Sequence, residues 1–175
     1  MLNDLQAQLA NLDGAAPVHL WDPPFCGPIP LTIDASGQWW YDGSLIKRQA
    51  LINLFARVLK REGDEYFLVT PAEKVQITVE DVPLLVTSWD RLDPSSDLIT
   101  VHTSTDDHIP LCETHQLQMR HNDTFQCAIP YVHIRHDLWA RIEQHVYYQL
   151  AEQLVIKDQR AWLVSGEYQA DFGPI

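Results

Sequence analysis

The sequence predicts an α+β fold in two consecutive halves, each a mainly antiparallel sheet with one principal helix. Three observations carry this. Strict period-two alternation recurs in both halves, over residues 74–80 and again at Phe125, Cys127 and Ile129. Apolar residues at helical spacing fill two stretches, one per half, over about 46–61 and 138–154. Strand signals cluster around each helix instead of alternating with helices one by one, which argues against a βαβ sheet.

The chain opens with Leu2, Leu5, Leu9 and Leu12 at helical spacing, and Gly14 stands where a C-cap would end that run. Pro17, Trp21, Pro23, Pro24, Phe25, Pro28 and Pro30 follow. Proline lacks the donor N–H, so this segment is expected as an extended arm across the surface and not as a central strand. Leu31 and Ile33, a turn at Ser36 and Gly37, Trp39 to Tyr41 and a second turn at Asp42 and Gly43 predict a hairpin. Ser44 can cap the helix over 46–61, on which Leu51, Leu54, Phe55, Val58 and Leu59 share a face, with Gly63 just beyond its end. A short apolar strand at 66–69, the pair Thr70 and Pro71, and the alternating strand at 74–80 complete the first half.

The second half begins near Pro83, with apolar residues 84–86, Trp89 and a turn at Asp93, Pro94, Ser95 and Ser96. Strands are expected around 99–101, 110–112, 117–119 and 125–129. Asp137 is placed as the N-cap of a long helix carrying Leu138, Ile142, Val146, Leu150 and Leu154. A strand with Trp162 and Val164 ends at Ser165 and Gly166. The expected organisation is thus an N-terminal helix and arm over 1–30, a first subdomain over 31–83 and a second over 84–175.

Composition sets bounds on function. The 175 residues are 46% hydrophobic, enough for a packed core, and carry a net charge of -12, with 12 Lys and Arg against 24 Asp and Glu. That balance opposes duplex nucleic-acid binding, which needs a cationic footprint. No apolar run approaches the roughly 20 residues of a membrane-spanning helix. The N-terminus lacks the basic region of a signal peptide, and three widely spaced cysteines (Cys26, Cys112 and Cys127) suit a reducing compartment, so a cytoplasmic location is expected.

Phosphate loops, dinucleotide fingerprints, nucleophile elbows and paired CxxC knuckles are absent from the sequence, so no catalytic residue and no cofactor is assigned. Cys112 and His115 have the spacing of a metal knuckle, with His121, His133 and His136 further on. Nothing supplies a matching second pair, and no metal site is expected. Asp106, Asp107 and His108 are expected as a surface turn. Arg57, Lys60 and Arg61 share a helix face near its C-terminal end, where cations favour the dipole. Two groups suggest an anion site instead. Thr70 stands beside a proline turn just before Lys74, and Tyr131, His133 and Arg135 alternate to one side, ending at the start of the expected second helix.

The run from Ile33 to Pro83 resembles the hallmark region of an uncharacterised bacterial family, domain of unknown function twelve-eighty-five. The matching pieces are Ile33 with Asp34, Gly37, Trp39 or Trp40, Gly43, Ile46, Arg48, Leu54 with Phe55, Thr70 with Pro71, Glu73 with Lys74, and Val79 to Asp81 with Pro83. Pro130, Tyr131, Arg135, Leu138, Ser165 and Gly166 extend the resemblance through the second half. It implies two related α+β subdomains, the second loosely like a pleckstrin-homology domain. It further implies a cleft between them for a nucleotide-like ligand, and a signalling role.

Together these readings predict a cytoplasmic small-ligand-binding regulatory protein, with Arg48, Thr70, Lys74, Glu80, Tyr131 and Arg135 as ligand-binding residues. Lys74 and Arg135 would neutralise an anionic group, Thr70 and Glu80 would fix polar edges, and Tyr131 would offer a stacking face. Two alternatives stand beside it. One is an enzyme on a small phosphorylated or nucleotide substrate with Glu80 as general base. The other is a protein-interaction module whose partner docks on residues 21–30 or on a sheet edge.

Overall fold

Alternation of buried and exposed side chains builds most of this protein, whose computed structural model describes residues 14–175. The chain forms two units, one ending at Pro83 and the other starting at Leu84. The helix expected over the first dozen residues lies outside the described residues.

In the first unit a six-stranded sheet contains β1 (Phe25–Ile33), β2 (Trp39–Tyr41), β3 (Ser44–Leu45), β4 (Leu59–Glu62), β5 (Glu65–Val69) and β6 (Lys74–Val79). A short helix, α1 (Gln49–Ala56), joins β3 to β4. The strand order is β3-β2-β1-β6-β5-β4. Neighbours are antiparallel apart from β1 and β6, which run parallel. Leu31, Ile33, Phe55, Leu59, Leu68 and Val75 form the core, and Trp39 stacks on Phe55 at 6.4 Å between ring centres.

Two expectations need correction here. The proline-rich segment is not wholly a surface arm, because residues from Phe25 onward form an interior strand of the sheet. The ladder to β6 shifts register on both sides of Pro28, and Gly27 takes a left-handed φ of 92°, so the prolines sit at irregularities where missing donors matter least. β2 pairs with β1 from Leu31 onward; opposite Pro30, whose nitrogen has no proton to give, the carbonyl accepts the Asp42 N–H at 2.8 Å. The helix is also shorter than its apolar stripe. Leu59 and the residues after it pair with β5 around a turn at Gly63, which is therefore a hairpin residue and not a C-cap. The apolar strand at 65–69 needs a hydrogen-bonding neighbour, and that tertiary demand overrides local helical spacing.

The second unit contains β7 (Leu84–Arg91), β8 (Ile99–Thr103), β9 (His108–Pro110), β10 (Leu117–Asn122), β11 (Cys127–Arg135) and β12 (Leu138–Ile142) in the order β10-β11-β12-β7-β8-β9. Read from the β9 end this is the first unit's order, and again the first and last strands, β7 and β12, form the parallel pair. The two units are related. After β12 come α2 (Gln144–Ala151) and a three-stranded sheet of β13 (Val155–Lys157), β14 (Arg160–Ser165) and β15 (Tyr168–Pro174). Residues 138–142, expected as the first turns of a long helix, form β12 instead. Leu138 and Ile142 are four apart, a spacing that suits both periods, and Ala140 between them is buried while Trp139 and Arg141 point the other way. His136, with φ of 48°, reverses the chain between β11 and β12. The helix itself buries Val146 and Leu150.

The two sheets of this unit are tied by buried polar bonds as well as apolar contact. The Ser165 hydroxyl donates to the Leu111 carbonyl at 2.8 Å and accepts the Ile99 N–H at 2.9 Å. The Tyr168 hydroxyl accepts the Leu117 N–H at 3.0 Å, and its burial pushes the phenol pKa up. Ser165→Ala should lower unfolding free energy by about 1–3 kcal/mol in urea denaturation, because it strands a buried N–H and a carbonyl. Ile142, 2% exposed, is fully packed. Ile142→Ala should cost about 2–5 kcal/mol in the same assay, and a value near zero would contradict its place in the core.

Candidate functional site

Parallel neighbours bring two chain exits to the same end of a sheet. In the first unit Ile33 of β1 lies beside Val79 of β6, and the Glu80 N–H donates to the Ile33 carbonyl at 3.0 Å. Asp34 and Glu80 therefore leave the sheet side by side. Leu31 and Ile33 point into the core, so Pro30, Thr32 and Asp34 face outward, and Trp40, opposite Thr32 on β2, faces the same way. The turn of Asp42 and Gly43, both with left-handed φ (49° and 79°), closes the β2–β3 hairpin beside them. These residues frame an open depression of about 470 Å3 lined by Pro30, Thr32, Asp34, Trp40, Gly43 and Glu80.

Its two carboxylates are held differently. Asp34 Oδ1 accepts the Ser36 N–H (3.0 Å), the Ser36 hydroxyl (2.8 Å) and the Gln38 N–H (2.9 Å), while Oδ2 accepts the Trp40 indole N–H at 2.8 Å. Burial alone would raise its pKa, but the bonds from Trp40, Ser36 and Gln38 together outweigh it and hold the carboxyl below its ordinary value. Asp34 thus fixes the turn and the indole plane. Glu80 is exposed and uses Oε2 to accept the Ala35 N–H at 2.8 Å. Its other oxygen remains available to a ligand. Among the described lining residues there is no cation, so the site favours hydrogen-bond donors over anions.

In the second unit the equivalent position is also a glutamate. The Glu143 N–H donates to the Val86 carbonyl at 3.1 Å, as Glu80 does to Ile33. There α2 starts at the next residue, and Glu143 pairs with His145 at 3.2 Å, whose other ring nitrogen lies 3.0 Å from the Thr87 carbonyl. The first unit has its helix between β3 and β4 instead, which leaves the Glu80 end open.

Of the six residues expected to bind ligand, Glu80 lines this depression. Thr70 is fully buried, and its hydroxyl accepts the Ala72 and Glu73 N–H groups, which makes it a turn-former. Lys74 lies at the opposite end of β6, bonded to Glu62 at 2.6 Å and seated 4.3 Å from the Phe67 ring centre. The Lys74 bond is the main cause holding the Glu62 carboxyl low. Arg48 is exposed at the N-cap position of α1. In the second unit Tyr131 is 3% exposed, with its hydroxyl accepting from Asn122 at 2.7 Å, so its ring offers no open stacking face. Arg135 is bonded to Asp107 at 2.5 Å, and Asp107 also accepts the Thr103 and Thr105 hydroxyls. Sequence reasoning missed Pro30, Thr32, Asp34, Trp40 and Gly43 as lining residues. The signal was present, since residues opposite in phase to Leu31 and Ile33 must face outward.

Comparison with known proteins comes down to one family. Its N-terminal domain model, a domain of unknown function (DUF1285), matches residues 16–82, and its C-terminal domain model matches residues 83–169. A solved DUF1285 family protein from Silicibacter pomeroyi DSS-3 is 34% identical over 98% of this chain and 95% of its own, with a TM-score of 0.89. Another from Shewanella baltica OS155 is 33% identical over 71% of this chain and 91% of its own, with a TM-score of 0.57. No curated protein matches the chain. With both domain models matched in order across nearly the whole sequence, the chain belongs to the DUF1285 family.

Proposed function

We propose that this protein binds a small molecule in the first unit and serves a regulatory, signal-transducing role in the cytoplasm. The observation that carries the reading is the pair of carboxylates at the ends of the parallel strands, one pinned at four contacts and the other offering a free oxygen. Crevices outside the carboxyl ends of parallel strands are recurrent ligand positions. Thr32, Glu80 and the edge of Trp40 can receive hydroxyl or amino donors and an apolar ring face. A nucleotide-like ligand would enter by its ribose diol or its exocyclic amine, since no lining cation awaits a phosphate. A thiol and an imidazole, the usual nucleophile and base, are missing from the described lining, which favours binding over catalysis. Exposed thiols at Cys26 and Cys127 support a reducing compartment.

Titration with adenosine, followed by calorimetry and thermal melting, tests the reading. Adenosine should bind and raise the melting temperature, and Glu80→Gln should weaken binding by about 1–3 kcal/mol without lowering the melting temperature of the free protein. Lys74→Ala should leave binding unchanged. Equal affinity in Glu80→Gln, or no binding, would sink this site.

Asp34 gives an independent check on the frame. A depressed folded-state pKa contributes stability that is present above the unfolded pKa and lost as pH falls through the folded value. The stability gap between the parent protein and Asp34→Asn, from urea midpoints, should therefore be wide at neutral pH and close as pH falls below the ordinary carboxylate value and through the depressed folded one.

A further inference from the structure

His102 and His108 face each other across the β8–β9 ladder, directly opposite in register. Residues 99, 101 and 103 of β8 are buried, so His102 stands on the outward face, and His108 is exposed beside it. Their Nδ1 atoms lie 2.6 Å apart, with ring centres at 4.8 Å and planes at 68°. On its far side His102 Nε2 lies 2.9 Å from the Asp90 carboxylate on β7. A carboxylate can only accept, so Asp90 fixes His102 as the Nε2–H tautomer and leaves the Nδ1 lone pair aimed at His108. In the metal-free protein His108 then supplies the N–H between them.

A carboxylate behind one imidazole fixes that ring as a metal ligand, and here a second imidazole nitrogen faces its free nitrogen directly. We propose that His102 and His108 bind one divalent transition-metal ion through their Nδ1 atoms, with Asp90 as the positioning residue. Imidazole ligands select Cu2+, Ni2+ or Zn2+ over Mg2+ and Ca2+, which take oxygen. Binding moves the His108 proton from Nδ1 to Nε2 by exchange with solvent, which frees both Nδ1 lone pairs for the ion. Metal–nitrogen bonds of about 2.0–2.1 Å at a tetrahedral ion put the two nitrogens roughly 3.3 Å apart, a small opening for two surface side chains. Among the described residues no three His, Cys, Asp or Glu side chains gather around one ion, so water fills the remaining positions. The site is consequently weaker than a closed structural zinc site. It is separate from the depression in the first unit.

The test is calorimetric titration of the full chain with ZnCl2, and separately CuCl2, in a non-chelating buffer. One ion per chain should bind, at least tenfold more weakly after His102→Gln or His108→Gln, with circular dichroism melts confirming that both variants fold. His121→Gln, which alters another exposed histidine, should bind as the parent does. Asp90→Asn should weaken binding several-fold and Asp90→Glu restore it, while imidazole 15N shifts report the Nε2–H tautomer of His102 in the parent and its loss in Asp90→Asn. Absence of binding, or parental affinity in either histidine variant, overturns the site and leaves a hydrogen-bonded pair. Parental affinity in Asp90→Asn overturns the positioning role.

Discussion

The parallel pairing of first and last strands, β1 with β6 and β7 with β12, is the constraint on which both units depend. Each unit is two three-stranded meanders, and a meander alone has two open edges. Joining them through their outermost strands in chain order closes one edge of each and creates a single six-stranded sheet. In the first unit the two joined strands also end together, Ile33 beside Val79. That is where the chain passes on to Asp34 and Glu80; in the second unit Ile142 hands it on to Glu143 beside Val86, while β7 itself runs on to Arg91. The depression is thus a by-product of topology. Whether it stays open is decided by the insertion point of one helix.

How far the fold was legible depended on whether a pattern had one interpretation. The stretch at 74–79 did: Val75 and Ile77 are buried, Lys74 and Gln76 are not, and it is a strand. Residues 138–142 had two, because a spacing of four is common to both periods, and the arbitrating fact was the alternation of Ala140 against Trp139 and Arg141. At 57–62 the apolar stripe of α1 ran on into residues that a neighbouring strand needed more. Proline was weighed too heavily as a breaker. Pro28 and Pro30 sit inside a sheet because the ladder there is irregular and β2 is short, and both are tertiary facts that no local pattern announces.

The site was legible in part, for a reason that separates Glu80 from the rest. Glu80 lies one residue past an unambiguous strand, so its exposure followed from phase alone. The other residues were chosen for their chemistry, and chemistry says what a side chain can hold but not what already holds it. Thr70 and Tyr131 are buried with their hydroxyls engaged. Lys74 and Arg135 each lie against a carboxylate. Asp34 was visible as part of a family motif, yet its role as the acceptor that fixes a turn and an indole required the Trp40 and Gln38 contacts to be seen.

Charge composition explains why cations were poor markers here. With 24 acidic residues and 12 basic ones, carboxylates outnumber cations two to one, and several cations are already taken. Glu62 takes both Lys60 and Lys74, Asp107 takes Arg135, and Asp171 takes Arg160. An acid excess of this size must leave carboxylates without a cation, and those carboxylates, not the cations, are the groups still able to form a strong bond with something else. Glu80 is such a carboxylate, with one oxygen on the Ala35 N–H and the other available. A ligand that carries donors meets a prepared partner in Glu80, whereas an anion approaching Lys60, Lys74, Arg135 or Arg160 would have to displace an ion pair already made.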